Sequence, residues 1–332
     1  MRTKIKTRIF TLAMGIATIA FISSCAKEGP AGADGTPGVD GDEVCMECHN
    51  VAKKAEVTEQ WAESVHGIGA VATSRGGSQS CGMCHSDEGF RETQYTGKDT
   101  LRAPIGLPQA IQCQTCHDFH QSLDFTNERN YALRTMAPVE LLMNRSVDPP
   151  LTPVTIDLGG SSNLCVSCHQ PRRLPPNATD DSTRVTSTHY GPHYGTQSTS
   201  LAGFGAYELG TGYPAKGEGS AHATGATCTD CHMAEGSHTF DPTLAGCNTA
   251  DCHDGAITSV DANARQTAFK DKMETLAAKL TTAGLLVDGS PNPGTYPTEQ
   301  VGALWNYRWA YGDHSNGTHN FPYLETDRKS VV

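Results

Sequence analysis

The 332-residue chain has little of the material that usually forms a protein core. Hydrophobic residues make up 37% and aromatic residues 7% of the sequence, whereas glycine and proline reach 34 and 18 residues. An ordinary chain of this size with such a composition would have a thin core. We therefore expect mostly α structure with extensive loops, short helices and little β structure.

Positive charge and long apolar runs are also scarce. The 25 Lys and Arg residues face 36 Asp and Glu residues, which gives a formal net charge of −11. This balance argues against a nucleic-acid partner and suits basic protein partners or a well-solvated surface. The apolar run after the basic N-terminus, residues 9–22, is too short for an ordinary membrane span.

Cysteine is plentiful, and twelve of the 13 cysteines fall into six motifs in which histidine directly follows the second cysteine of a pair. The motifs are Cys45, Cys48 and His49; Cys81, Cys84 and His85; Cys113, Cys116 and His117; Cys165, Cys168 and His169; Cys228, Cys231 and His232; and Cys247, Cys252 and His253. Two thioethers at this spacing can capture the vinyl groups at one edge of a haem, and the imidazole can bind the iron. The pattern predicts covalent attachment of six haem c groups, whose macrocycles would supply the missing apolar volume.

Paired cysteines also occur in structural zinc sites and disulfide frameworks. Neither alternative requires a histidine after every pair. The sixth motif has four residues between its cysteines instead of two. Haem attachment there requires a bulged loop.

The thirteenth cysteine, Cys25, follows a basic start, the apolar run and two serines. A charged segment, a short apolar segment and small residues are typical of an export signal, here residues 1–24. The stretch from Ile22 to Cys25 resembles the bacterial lipobox, which implies that Cys25 becomes the acylated first residue of an exported lipoprotein. Several acyl chains on one residue would anchor it stably to a membrane.

Residues 25–43 contain five Gly-x-y triplets that match the collagen pattern. So short a run with few prolines favours a solvated tether over a trimeric stalk. Residues 44–254 hold the six motifs. Residues 255–332 predict a helical hairpin and tail, with one helix between Asp261 as N-cap and Gly284 as stop, and a second over residues 301–311.

Eight histidines lie outside the motifs, and six low-spin haems would need six distal ligands. The eight are His66, His120, His189, His193, His222, His238, His314 and His319. If every iron carries two imidazoles, the protein transfers electrons without binding a substrate at iron. His120 follows His117 by three residues, so it must serve a neighbouring haem or none. His222 and His238 flank the fifth motif and could serve the fifth haem and a neighbour.

Several segments resemble elements of multihaem c-type cytochromes. They are Trp61-Ala62-Glu63-Ser64-Val65-His66-Gly67, Pro192-His193-Tyr194-Gly195-Thr196-Gln197, and Trp305-Asn306-Tyr307 followed by Gly317-Thr318-His319-Asn320. The resemblance is to the superfamily that contains ammonia-forming nitrite reductases and octahaem oxidoreductases. It implies that His66 is a distal ligand and favours His193 over His189 and His319 over His314. The Cys-x-x-Cys-Lys motif typical of the catalytic haem in those nitrite reductases is missing from this sequence.

These features predict an electron carrier rather than an enzyme, with six mostly bis-histidine haems. It would connect redox proteins of the cell envelope or reach an extracellular acceptor, and it would be attached by its lipid to a membrane, most simply the outer membrane, facing the periplasm or the cell surface. Two alternatives stay open. One is a subunit of a conductive extracellular filament, and the other is a reductase of small nitrogen or sulfur oxyanions.

Overall fold

The computed structural model describes residues 45–46, 49–120, 131–144 and 152–329. It divides into two compact units, Met1–Asn50 and Val51–Val332. In the first unit Cys45 and Met46 are helical, and the side-chain amide of Asn50 donates to the Met46 carbonyl at 2.8 Å. The expected signal peptide, the lipidation site Cys25, the tether and Cys48 lie outside the described residues.

Helices dominate the second unit, and most of them are short. In chain order they are α1 (Val51–Glu63), α2 (Val65–Ile68), α3 (Gly82–His85), α4 (Asp87–Thr96), α5 (Cys113–Cys116), α6 (Ser162–Val166), α7 (Gln197–Ala202), α8 (Ala221–Gly225), α9 (Cys228–His232), α10 (Leu244–Cys247), α11 (Arg265–Thr282), α12 (Thr298–Asp313) and α13 (Phe321–Lys329). Single turns of 3-10 helix cover Leu142–Asn144, Ala234–Gly236 and Ala262–Ala264, and Ala72–Gly76 forms a π-helical turn.

The β structure of the described residues consists of three antiparallel ribbons. Their strands are β1 (Val139–Glu140), β2 (Thr155–Ile156), β3 (Ser182–Val185), β4 (Leu286–Val287), β5 (Ser290–Pro291) and β6 (Gly294–Pro297). β1 pairs with β2, β4 with β5, and β3 with β6, where Ser182 faces Pro297 and Val185 faces Gly294. The expectation of mostly α structure with long loops and little β structure is confirmed.

The predicted C-terminal helical hairpin is present as α11 and α12. The N-cap residue of α11 is Ala264 rather than the predicted Asp261. The carboxylate of Asp261 nevertheless accepts the backbone N–H groups of Gln266 at 2.7 Å and Thr267 at 3.3 Å in the first turn of the helix. After α11, Gly284 adopts a φ of +77° that favours glycine and ends the helix. The predicted second helix, residues 301–311, lies inside α12.

The largest apolar clusters lie around this hairpin. Leu276 and Leu280 of α11 pack with Val301 and Leu304 of α12, and a second cluster forms around Trp309. By contrast, the helices α1, α2, α8 and α9 contain no buried residue. Side chains alone therefore leave much of the region that carries the motifs without a core.

None of the helices in the described ranges is both long and apolar enough to cross a membrane.

Candidate functional site

Four of the motifs share a backbone hydrogen bond. In three regular motifs the histidine amide donates to the carbonyl of the first cysteine, which is the ordinary helical bond. The distances are 3.2 Å for His85 to Cys81, 2.9 Å for His117 to Cys113, and 2.9 Å for His169 to Cys165. One helical turn thus brings both cysteines and the histidine together.

The sixth motif keeps this bond in spite of its two extra residues. The amide of His253 donates to the carbonyl of Cys247 at 3.2 Å. The extra residues form a bulged loop, which Asn248 holds from inside because its side chain bonds both the carbonyl and the amide of Ile257, at 2.7 and 2.9 Å. In spite of the longer spacing, the backbone of His253 therefore lies next to that of Cys247, as in the regular motifs.

Five histidines of the described motifs each face a histidine from elsewhere in the chain across a nearly constant gap. The ring centroids are 6.0 Å apart for His85 and His193, 6.0 Å for His169 and His66, 6.3 Å for His117 and His238, 6.3 Å for His232 and His319, and 6.1 Å for His253 and His222.

The gap has the width of one metal atom. A metal–imidazole bond is about 2 Å and the ring centre lies about 1 Å beyond the nitrogen, so two imidazoles on one iron keep their centres roughly 6 Å apart. In the described part of the chain, eleven cysteines have free thiols and no group of three or more His, Cys, Asp or Glu side chains could hold a metal ion. The donors fit a haem iron with two axial imidazoles better than a zinc site.

Hydrogen bonds fix the tautomer of many of these rings. Six Nδ1 atoms face an oxygen acceptor and donate to it, which leaves Nε2 as the lone-pair atom. The bonds run from His117 to the Tyr131 carbonyl (2.7 Å), His169 to Gln197 Oε1 (3.4 Å), His222 to the Thr318 carbonyl (2.8 Å), His232 to the Phe240 carbonyl (2.7 Å), His238 to the Gly236 carbonyl (2.9 Å) and His319 to Asp313 Oδ1 (2.7 Å). Such bonds are typical of the outer shell of a metal centre.

Neighbouring residues in the sequence hold the segment of His66 in position. Trp61 donates its indole N–H to the carbonyl of Ile111 at 3.0 Å, and Ser64 caps α2 by accepting the amide of Gly67 at 3.1 Å. A Cβ at Gly67 would lie 2.2 Å from the Trp61 carbonyl oxygen, so glycine is required there. Burial, followed by the charge of His169, lowers the pKa of His66 to about 4 and keeps its ring neutral, as a ligand must be.

Arginines surround the pair of the second motif. The guanidinium of Arg172 approaches Cys81 Sγ at 4.0 Å, and the Arg172 amide donates to the carbonyl of Pro192, the neighbour of His193, at 2.9 Å. Although the residue His193 is exposed, desolvation of its ring lowers its pKa to about 4, and the charges of Arg172, Arg173 and Arg75 act in the same direction. Burial followed by the charges of Arg172 and Arg75 also lowers the pKa of His85.

A buried carboxylate marks the pair of the fifth motif. Asp313 is 2% exposed and accepts the Nδ1 proton of His319 and the hydroxyl of Ser315. Burial opposes ionisation of Asp313, but His319 and Ser315 outweigh it and lower the pKa of the carboxyl group. Burial likewise disfavours a charged His319, but Asp313 outweighs that effect and raises the pKa of His319.

Phe240 lies where three of the pairs meet. Its ring contacts His66 edge to face at a centroid distance of 4.7 Å and His238 at 5.9 Å, and its carbonyl accepts the proton of His232. The residue has a φ of +61°, which is strained for a side chain of this size. One strained residue therefore touches histidines of the pairs that contain the third, fourth and fifth motifs.

The motifs of the second unit contact one another out of chain order. Cys84 Sγ approaches the Ser167 carbonyl and Cys168 Sγ the Met83 carbonyl, both at 3.8 Å, which joins the second motif to the fourth. The hydroxyls of Ser161 and Thr229 are 3.1 Å apart and join the helices of the fourth and fifth motifs. A Cβ at Gly246 would lie 2.6 Å from the Asp230 carbonyl oxygen, so α10 of the sixth motif packs closely on the fifth.

Five of the six predicted distal histidines lie opposite a motif histidine. Their partners are not always the motif that lies nearest in the sequence. His222 and His238 flank the fifth motif, yet they face the sixth and third motifs, and His319 faces His232. His120 is exposed, and the ring that faces His117 is that of His238.

His189 and His314, the less favoured candidates, are exposed. His49 belongs to the first unit. Its predicted ligand role, like the ligand roles of the other histidines, stays a prediction.

Sequence reasoning missed Asp313, Arg172 and Phe240. Asp313 precedes His319 by six residues and Phe240 follows His238 by two, but neither spacing is diagnostic. Their roles depend on contacts between segments distant in the chain.

No family model matches the chain, and no curated protein matches it. Among solved structures, the chain is similar to the crystal structure of the outer cell wall cytochrome OcwA, with 19% sequence identity and a TM-score of 0.49. The match covers 82% of this chain and 50% of that chain, so this chain spans about half the length of the cytochrome.

Proposed function

We propose that the protein is a multihaem c-type cytochrome that transfers electrons along six mostly bis-histidine haems. The observation that carries the proposal is the set of five histidine pairs with centroid separations of 6.0 to 6.3 Å, each containing one motif histidine. Bound haem would supply a one-electron iron couple and the apolar volume that the side chains lack.

The residues of the chain would hold the cofactor in three ways. The cysteine thiols of each motif attach its edge, the motif histidine binds one axial position, and the facing histidine binds the other. The Nδ1 hydrogen bonds orient the rings and direct Nε2 into the gap. Two imidazoles on one iron leave no coordination position for a substrate, which favours an electron carrier over an enzyme.

The proposed location follows from the N-terminal sequence. Export of residues 1–24, acylation of Cys25 and a tether to residue 43 would attach the cytochrome to a bacterial envelope, most simply the outer membrane, at the periplasmic or outer face. The partners would be redox proteins of the envelope or an extracellular acceptor.

Intact-protein mass spectrometry of the purified holoprotein tests the attachment sites. We expect the mass of the lipid-free polypeptide plus about six haems. A mass with five haems would mean that the site at Cys247 and Cys252 is empty, and a mass without haem would overturn the proposal.

Electron paramagnetic resonance tests the ligands by counting low-spin and high-spin irons. We expect low-spin iron throughout and little carbon monoxide binding after reduction. Stoichiometric carbon monoxide binding at one haem of the wild-type protein would favour the oxyanion reductase, and ordered fibres in electron micrographs would favour the filament subunit.

A further inference from the structure

The charged groups around the histidine pairs are distributed unevenly. The fifth-motif pair has the buried carboxylate of Asp313 hydrogen-bonded to one of its ligands at 2.7 Å. The second-motif pair has Arg172 between Cys81 and the segment of His193. Asp87 is the carboxylate residue nearest to His85 in the sequence. It forms a salt bridge with Arg91 at 2.8 Å and accepts the hydroxyl of Thr115 at 2.7 Å.

These charges act on a bound iron in opposite directions. Oxidation adds one positive charge to a haem, so a nearby cation disfavours the ferric state and a nearby anion favours it. An Nδ1 proton shared with a carboxylate also makes the imidazole a stronger donor, which stabilises ferric iron further. Because Asp313 is buried, solvent screens its charge only weakly.

The two sites are also connected through the chain. The second motif contacts the fourth through Cys84 and Cys168, and the fourth contacts the fifth through Ser161 and Thr229. Attached edges in such contact would bring successive haems close enough for electron transfer. The contacts give the order two, four, five rather than the order of the sequence.

We propose that the fifth haem site is the low-potential end and the second haem site the high-potential end of an internal electron path through the fourth. This inference rests on the proposed function. Electrons would then run downhill from the side of Asp313 towards the side of Arg172, each step reducing one ferric iron as the preceding ferrous iron is oxidised.

Spectroelectrochemical titration of the holoprotein and two charge-neutralising variants tests the assignment. In Asp313→Asn we expect the lowest-potential component to move to higher potential, because the negative charge that favours the ferric state is removed. In Arg172→Gln we expect the highest-potential component to move to lower potential. The exposed residues Asp180 and Arg184 provide matched controls, since Asp180→Asn and Arg184→Gln should leave both components in place.

A further variant keeps the test decisive if Asp313→Asn loses haem or fails to fold. Ser315→Ala keeps the carboxylate but removes the hydrogen bond that Ser315 donates to Asp313 Oδ2, which leaves more negative charge on the carboxylate whose Oδ1 accepts the His319 proton. The lowest component should then move to still lower potential. Movement of any other component, or no movement in folded variants with full haem content, would overturn the inference, whereas a wild-type protein without haem would overturn the proposed function itself.

Discussion

The aromatic ring of Phe240 lies between histidines of two different pairs. Its ring supports His66 and His238 from the side, while its backbone holds His232. The positive φ of Phe240 indicates that the surrounding contacts impose this position against the preference of the backbone.

Replacement of Phe240 by alanine should loosen two distal ligands without removing either. We expect Phe240→Ala to bind carbon monoxide after reduction at up to two haems, because His66 and His238 lose their lateral support. Titration of the reduced protein with carbon monoxide measures this. Phe204→Ala is the control, since Phe204 packs on the separate cluster around Leu141 and Ile156. Equal carbon monoxide binding in the two variants would contradict the positioning role.

His120 gives a second test at the residue scale. If it is a distal ligand of a haem other than that of His117, His120→Ala opens one iron. The expected results are a high-spin signal, binding of one carbon monoxide after reduction, and a higher potential for that haem because a strong donor is lost. His189→Ala, at another exposed histidine, should change nothing. An unchanged spectrum for His120→Ala would remove His120 from the ligand set.

At the residue scale, the sequence predicted which histidines would face the motifs better than it predicted their partners. His193 and His319 were preferred on the segments around them, and the structure places both opposite motif histidines. The partner of His66, by contrast, is His169, more than a hundred residues away. Spacing constrains which face a nearby histidine can reach, but it does not determine which distant segment packs there.

At the scale of elements, the sixth motif shows how a longer loop can reach the same end point. Its extra residues are accommodated because Asn248 bonds both backbone groups of Ile257, which holds the bulge closed behind Cys252 and His253. The sequence predicted the bulge from the spacing. It did not predict the two hydrogen bonds between Asn248 and Ile257, which form a clamp on the loop, because Ile257 lies beyond the motif.

Removal of this clamp should affect one haem alone. We expect Asn248→Ala to lower the occupancy of the sixth haem, since the unclamped loop no longer holds His253 beside Cys247 during attachment. Mass spectrometry should then show a population with five haems. Asp251→Ala, an exposed change in the same loop, should keep six. Full occupancy in Asn248→Ala would show that the loop closes without the clamp.

The elements of the C-terminal region were predictable for a different reason. Helix α11 is predictable from its own residues. Phe269, Leu276 and Leu280 recur at helical spacing, and Asp261 and Gly284 flank the segment. The short helices of the motif region have no such apolar face, as α8 and α9 illustrate with no buried residue. Their positions depend on packing that the periodicity of the sequence does not encode.

At the scale of the whole molecule, the N-terminal segment and the motif region should be separable. In Cys25→Ser we expect release from membranes with an unchanged haem spectrum, because the anchor and the tether precede the first motif. Fractionation by sedimentation, with absorbance of each fraction, measures both properties. Ser23→Ala serves as the control and should stay with the membranes. Continued sedimentation of Cys25→Ser would contradict the lipoprotein assignment and leave the haem assignment untouched.

With haem bound as proposed, the angles between the paired rings would set the magnetism of the ferric irons. The planes of His117 and His238 are 30° apart, whereas those of His222 and His253 are 87° apart and those of His85 and His193 are 70° apart. Nearly parallel imidazoles split the two iron d orbitals that point between the ligands, whereas perpendicular imidazoles leave them almost degenerate, so the unpaired electron keeps a large orbital moment. The planes of His66 and His169 are 71° apart. The frozen ferric protein should therefore give one ordinary rhombic signal from the third site and broad signals with a large maximal g value from the second, fourth and sixth.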